Sequence, residues 1–106
     1  MLKLNPIAKD FAKTAKERLG NRVISIILYG SVAKNKARKE SDIDIFAVVS
    51  DDKAKDELFD IASEYVKKGI LLSIIVETPE TLSQLKKKSP FVNDVIKEGK
   101  ILYGTR

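Results

Sequence analysis

The chain contains no cysteine and no histidine. Thiol nucleophiles, disulfides, thiolate zinc sites and imidazole general bases are thereby excluded, and only oxygen chemistry remains for a metal. Long apolar runs are missing too. Stretches such as Ile24 to Leu28 and Ile70 to Val76 fall far short of the roughly 20 residues that span a bilayer, and Met1-Leu2-Lys3 opens no secretory apolar region. A soluble, cytoplasmic protein without membrane contact is expected. No internal repeat, linker or low-complexity tract interrupts the 106 residues, which suit one domain over 1–106 with one core and no separate substrate-binding domain. A second substrate is expected to meet this domain from outside.

What is present begins with charge. Twenty Lys and Arg against fifteen Asp and Glu give a formal +5, which favours anionic partners such as triphosphates or nucleic acid, although a solvated Lys/Glu surface gives the same balance. Nucleic acid is the less favoured partner: Lys86-Lys87-Lys88 is basic, but no recognition motif or stacking aromatic platform accompanies it.

Periodicity supplies the elements. Asn5-Pro6 reads as an N-cap with proline at the first helical position, and Ile7, Phe11, Ala15 and Leu19 recur at helical spacing up to Gly20, predicting a helix over 6–19. Val23 to Tyr29 is short, β-branched and continuous, as expected of a strand buried on both faces, and stops at Gly30. Residues 31–41 read as a short polar helical turn or loop, and a second strand follows from Ile43 to Val49. Ser50, Asp51 or Asp52 can cap a helix striped by Ala54, Leu58, Ile61, Ala62, Tyr65 and Val66 and stopped by Gly69. A third strand is expected from Ile70 to Val76. Thr78-Pro79 and Ser89-Pro90 repeat the cap-then-proline pattern and predict helices over 79–88 and 90–98, with Ile101 to Tyr103 as a small edge strand. This order predicts an α/β (α+β) domain with a small mixed sheet of three to four strands flanked by helices. So small a sheet with apolar helices also suits a homodimer. Antiparallel pairing of the first two strands and a parallel crossover from the second to the third bring together the end of strand one and the starts of strands two and three.

Asp42 and Asp44 fall at that convergence. Two apart on a strand, they leave one face with backbone positions roughly 6.6 Å apart, and they repel unless a cation intervenes. Aspartate is depleted in strands, and here two interrupt the apolar run of Ile43, Ile45 and Phe46; breaches of local propensity of this kind mark function. Hard oxygen ligands select Mg²⁺ or Mn²⁺, whose shell phosphate oxygens usually complete. Gly30 lets the backbone turn sharply beside a ligand, Ser31 offers a hydroxyl and an N–H to a phosphate, and Lys34, Lys36, Arg38 and Lys39 add positive potential. Each piece alone has a plainer reading: an ordinary turn, Asp42 capping a turn with Ser41, a solvated basic loop. The spacing shifts the balance toward the functional reading. Gly-Ser, ten residues, then Asp-x-Asp arises by chance in about one chain per thousand of this length at about 6 per cent usage per residue type.

The stretch from Gly30-Ser31-Val32-Ala33 through Asn35 and Glu40-Ser41-Asp42-Ile43-Asp44 resembles the signature of the minimal nucleotidyltransferases, within the DNA polymerase beta superfamily. Ser89-Pro90-Phe91-Val92 through Glu98-Gly99, with Leu102-Tyr103-Gly104, resembles the ending common in these small domains, so the likeness extends over nearly the whole chain. It implies a nucleotidyltransferase fold and metal-dependent transfer of a nucleoside monophosphate from a triphosphate, ATP being the first candidate, to an acceptor. By residue it implies triphosphate binding at Gly30 and Ser31, with Lys34, Arg38 and Ser41 beside them, and catalytic Asp42 and Asp44 holding Mg²⁺ or Mn²⁺. Minimal nucleotidyltransferases often accompany HEPN-type toxins, so a protein partner is implied, either as the acceptor or as the toxin held by a non-catalytic antitoxin. Most catalytic relatives add a third carboxylate near the start of the next strand, where this chain has Ile70-Leu71-Leu72-Ser73. Glu77 lies four residues beyond Ser73, roughly 13 Å along the strand, and Glu40 reads as a solvated loop residue. Nucleotide binding is therefore expected to be more secure than catalysis.

Overall fold

The computed structural model describes residues 4–30 and 43–104. In chain order the elements are α1 (Leu4–Leu19), a 3-10 turn (Gly20–Arg22), β1 (Val23–Tyr29), β2 (Ile43–Val49), α2 (Asp52–Lys67), β3 (Leu72–Glu77), α3 (Pro79–Lys88), α4 (Pro90–Glu98) and β4 (Lys100–Gly104). The four strands form one mixed sheet in the order β3-β2-β1-β4. β1 is antiparallel to both β2 and β4, and β2 is parallel to β3; the β1/β2 and β2/β3 relations are those the connections allow. The expected helical turn or loop over 31–41 lies outside the described residues.

Strand parity divides the core. Ile26 and Leu28 of β1 with Ile43, Ile45, Ala47 and Val49 of β2 face α1 and α2, whose stripes of Ala8, Phe11, Ala15 and Leu19 and of Ala54, Leu58 and Ile61 are buried against them. Ile27, Phe46 and Val48 point the other way and are covered by Val92 and Val95 of α4, with Leu82 and Leu85 of α3 packed alongside. Most of both faces of the central strands is thus buried, which is why β1 and β2 are largely apolar instead of alternating, with Asp44 the charged exception in β2. Each large side chain fully withdrawn from water there contributes about 1.5–3 kcal/mol. Across the outer surface Arg18 grips Glu64 through both guanidinium nitrogens and Arg22 meets Glu57 at 2.7 Å. Such exposed pairs contribute little to stability.

Several boundaries differ from expectation: β3 ends at Glu77 and not Val76, β4 runs one residue further at each end than Ile101 to Tyr103, and two starts differ by two residues. α1 starts at Leu4, so Pro6 sits within the first turn, where a missing N–H has no intrahelical acceptor to lose. β3 starts at Leu72 and not Ile70: the Ile70 N–H bonds back to the Tyr65 carbonyl at 3.2 Å, and the ladder begins only after that turn is closed. Asp51 proves to be the cap of α2, accepting the Ala54 N–H at 2.8 Å. Ser89 caps α4 through the Val92 N–H. Among the described residues no helix is long and apolar enough to cross a membrane.

Candidate functional site

The sheet brings Gly30 and Asp44 together from its two central strands. Tyr29 and Asp44 are cross-strand partners, so their side chains leave the same face, about 4.5–5.5 Å apart at Cβ. By parity with Phe46 and Val48, that face is the one covered by α3 and α4. Gly30 then turns the chain with φ +78°, a left-handed conformation in which other residues are strained. A Cβ added there would lie 2.5 Å from Asp44 Oδ2. Only glycine leaves this carboxylate the space beside the backbone.

On its other side Asp44 pairs with Ser73 in the parallel ladder, and the Ile43 N–H bonds the Leu71 carbonyl at 2.7 Å. Leu71 precedes β3 and stands 52% exposed, while Glu77 is in register with Val48, four residues further along. The position beside Asp44 on β3 therefore carries a hydroxyl in place of a carboxylate. Among the described residues no group of three or more Asp or Glu is arranged to hold a metal ion. Ser31, Lys34, Arg38, Ser41 and Asp42 lie outside the described residues, and so do Asn35, Lys36, Lys39 and Glu40. Of the expected site residues, Gly30 and Asp44 are the two that the structure brings together. As a hard oxygen donor the Asp44 carboxylate is of the kind a divalent cation takes.

The charge on Asp44 acts on its neighbour. Burial pushes the Tyr29 hydroxyl pKa above its ordinary value, and the Asp44 carboxylate pushes it further the same way. Tyr29 packs edge-on against Phe91 of α4, with ring centroids 5.6 Å apart and an interplanar angle of 80°.

One feature escaped the sequence pattern. A cleft of about 230 Å³ opens beside Gly30, with Tyr29 and Gly30 on one side and Phe91, Asp94 and Glu98 of α4 on the other. Positions 91, 94, 95 and 98 follow one helical face, a signal visible in the sequence. What that face meets depends on the β1/β4 pairing and on Gly99, where a Cβ would collide with the Ile27 side chain and the Val95 carbonyl.

Residues 9–106 match the family model described as polymerase beta, nucleotidyltransferase. A Methanocaldococcus jannaschii protein named "putative protein adenylyltransferase" is 34% identical, over 90% of this chain and 93% of its own length. A chain in a crystal structure of a toxin-antitoxin with AMP-PNP superimposes with a TM-score of 0.60 at 20% identity, covering 92% of this chain and 74% of that one. A chain in the structure of a tri-AMPylated Shewanella oneidensis HEPN toxin in complex with MNT antitoxin gives 0.51 at 20% identity, covering 94% and 72%. At such identities the structural likeness speaks for the fold.

Proposed function

The chain belongs to the polymerase beta nucleotidyltransferase family, and from that premise we propose that it transfers AMP from ATP to a hydroxyl of a partner protein in the cytoplasm, using Mg²⁺ or Mn²⁺. The observation that carries this reading is the Asp44 carboxylate held against Gly30 at the end of the central strands. A curated relative named for protein adenylylation supports a protein acceptor, and the HEPN toxin in the Shewanella oneidensis complex supports a HEPN-type protein in that role.

In this reading Asp42 and Asp44 hold the cation, Gly30 and Ser31 receive the triphosphate, and Lys34, Arg38 and Ser41 contact it. A divalent cation bound there would neutralise phosphate charge and orient the attacking and leaving oxygens for an in-line displacement. The acceptor oxygen forms a bond to the α-phosphorus as the bond from that phosphorus to the bridging oxygen breaks, and pyrophosphate departs. The acceptor's proton leaves with the breaking O–H bond, and Ser73 beside Asp44 is a hydroxyl that does not serve as the general base to take it.

The test is labelled ATP with Mg²⁺ and the co-purified partner. The unaltered chain is expected to label the partner, and an Asp42→Asn, Asp44→Asn double variant to lose both labelling and Mg²⁺-dependent ATP binding. Undiminished binding by that variant would sink the proposal. A second reading, a nucleotide-binding antitoxin subunit with weakened catalysis, is favoured by the hydroxyl at Ser73. Mg²⁺-dependent ATP binding without partner labelling would select it.

A further inference from the structure

We infer that two copies of the chain join antiparallel through the outer edge of β3, and that Glu77 of each supplies the other's site with the carboxylate missing beside Asp44; this rests on the nucleotide-transfer reading above. The sheet ends at β3 on one side and at β4 on the other, and the two edges are not alike. β4 carries Lys100, and Lys9, Lys13 and Lys16 of α1 line the groove beside its Leu102 and Tyr103. Charge of this kind keeps a strand edge from pairing. β3 reads Leu72-Ser73-Ile74-Ile75-Val76-Glu77, with no Lys, Arg or Pro. Beside it, Phe59 and Val66 of α2 are 42% and 52% exposed. Each stands two residues beyond a glutamate that meets Arg22 or Arg18, Glu57 and Glu64 respectively. Two residues turn a helix by roughly 200°, so Phe59 and Val66 lie on the side of α2 away from α1, where the sheet ends at β3. An apolar edge flanked by exposed apolar side chains is a surface that a further strand covers.

Pairing chemistry selects both the occupant and the register. The Ile43 N–H bonds the Leu71 carbonyl, so by alternation Ser73, Ile75 and Glu77 turn their backbone groups toward β2, while Leu72, Ile74 and Val76 turn theirs outward. A two-fold axis normal to the sheet keeps each face on its own side and admits antiparallel registers centred on a residue. Centred on Ile75, the outward groups of Ile74 meet those of Val76 in the second copy as hydrogen-bonded pairs, Ile75 meets itself, and Ser73 meets Glu77. Centred on Ile74 instead, the Glu77 carboxylate opposes Leu71 and the Ser73 hydroxyl opposes Ile75. Matching polar with polar and apolar with apolar therefore favours Ile75. Glu77 is the one ionisable residue of β3, so no like charges meet across the axis. A strand that complements its own reverse fits an isologous contact with a second copy.

The same register completes the site. Within one chain Glu77 stands four residues beyond Ser73 and out of reach. Across the axis it stands opposite Ser73 in a non-hydrogen-bonded pair, with Cα atoms about 4.5 Å apart. Ser73 is in register with Asp44, one strand spacing of about 4.8 Å further in. Strand parity puts Asp44, Ser73 and Glu77 on one face, that of Phe46 and Ile75. The backbones of Asp44 and of Glu77 in the second copy are then roughly 9 Å apart, with only the small Ser73 side chain between them. Glu77 placed there is a general base: its carboxylate takes the acceptor hydroxyl's proton as that oxygen bonds the α-phosphorus and the bond to pyrophosphate breaks. Ser73→Asp supplies the acid within one chain, so its gain in rate is greatest at dilution, where the copies separate.

The experiment combines sedimentation equilibrium with complementation between two disabled chains. The unaltered chain is expected to sediment as a dimer. A Phe59→Lys, Val66→Lys double variant, altered only at exposed positions, is expected to be a monomer with an unchanged circular dichroism spectrum. With labelled Mg²⁺-ATP and the co-purified partner, Glu77→Gln should lose about 10²-fold or more in labelling rate while still binding Mg²⁺-ATP. The Asp42→Asn, Asp44→Asn chain should label nothing. Co-expressed in equal amounts, these two chains should recover about a quarter of the unaltered rate, because about half the dimers are mixed and each mixed dimer has one intact site. Adding the two lysine substitutions to both chains should abolish the recovery. Absence of recovery from the first pair, or full labelling by Glu77→Gln, would overturn the assignment of Glu77 while leaving nucleotide transfer standing. Full labelling by an unaltered chain that sediments as a monomer would overturn it as well. If the unaltered chain labels no partner, the transfer reading falls and the role of Glu77 falls with it.

Discussion

Replacing Gly30 with alanine imposes two separable penalties, and the structure supplies a control for each. The first is conformational: φ +78° places an L-residue in the left-handed region, at a cost of about 1–2 kcal/mol. For a domain near this size that lowers the melting temperature by roughly 5–10 °C. The second is steric: the new Cβ lies 2.5 Å from Asp44 Oδ2, against the 3.4 Å at which ordinary contact begins. The carboxylate must therefore retreat by about 0.9 Å, and a misplacement of about 1 Å in a reacting constellation costs on the order of 10²-fold in rate. Gly69→Ala isolates the first penalty, since Gly69 has φ +88° and nothing within 4 Å of its added Cβ. Both variants should lose similar stability in thermal melts, whereas only Gly30→Ala should lose Mg²⁺-dependent triphosphate binding and partner labelling. If Gly30→Ala binds Mg²⁺-ATP as well as Gly69→Ala does, Asp44 is not the carboxylate that Gly30 makes room for, and the reasoning fails.

Ser73→Asp should restore an acid beside Asp44 and raise the labelling rate, by as much as the 10²–10⁴ that a general base contributes; an unchanged single-turnover rate places the missing function elsewhere. Asp51→Ala should lower the melting temperature at neutral pH by removing the cap of α2. The Ala54 N–H is the chief influence holding the Asp51 carboxyl below its ordinary pKa, so this stabilisation exists above the unfolded-state value and is lost as pH falls through the lower folded one. The gap between variant and unaltered chain should therefore close at acid pH, and a gap that persists there in differential scanning calorimetry would assign the effect to something other than carboxylate capping.

The parts legible in the sequence were those that local chemistry decides. Thr78-Pro79 and Ser89-Pro90 mark the starts of α3 and α4 because capping and proline geometry act within one turn. Continuous apolar runs identified β1 and β2 as interior strands. The meeting of the starts of β2 and β3 followed from a parallel crossover, while the register of Asp44 with Ser73 is set by the ladder itself. Ile70 misled because its apolar side chain packs against the core like a strand residue, although its N–H closes the end of α2. The cleft was illegible for another reason. Tyr29 and Phe91 are far apart in the chain, and nothing local states that α4 crosses the end of β1. That depends on β4 pairing with β1 and on the close approach at Gly99.

The pairing of β1 with β4 carries a consequence for biosynthesis. Ser25, near the start of β1, is in register with Gly104, so β1 gains its second neighbour only after every other described element has been synthesised. Pairing over such a sequence separation closes late, and domains fold as units. The α4 wall beside Gly30 lies between β2 and β4 in the chain, and Gly99 joins it directly to the strand that pairs with β1. A chain interrupted within β4 would keep Gly30, Asp44 and the Val92 and Val95 contacts of α4, yet leave β1 with an open edge.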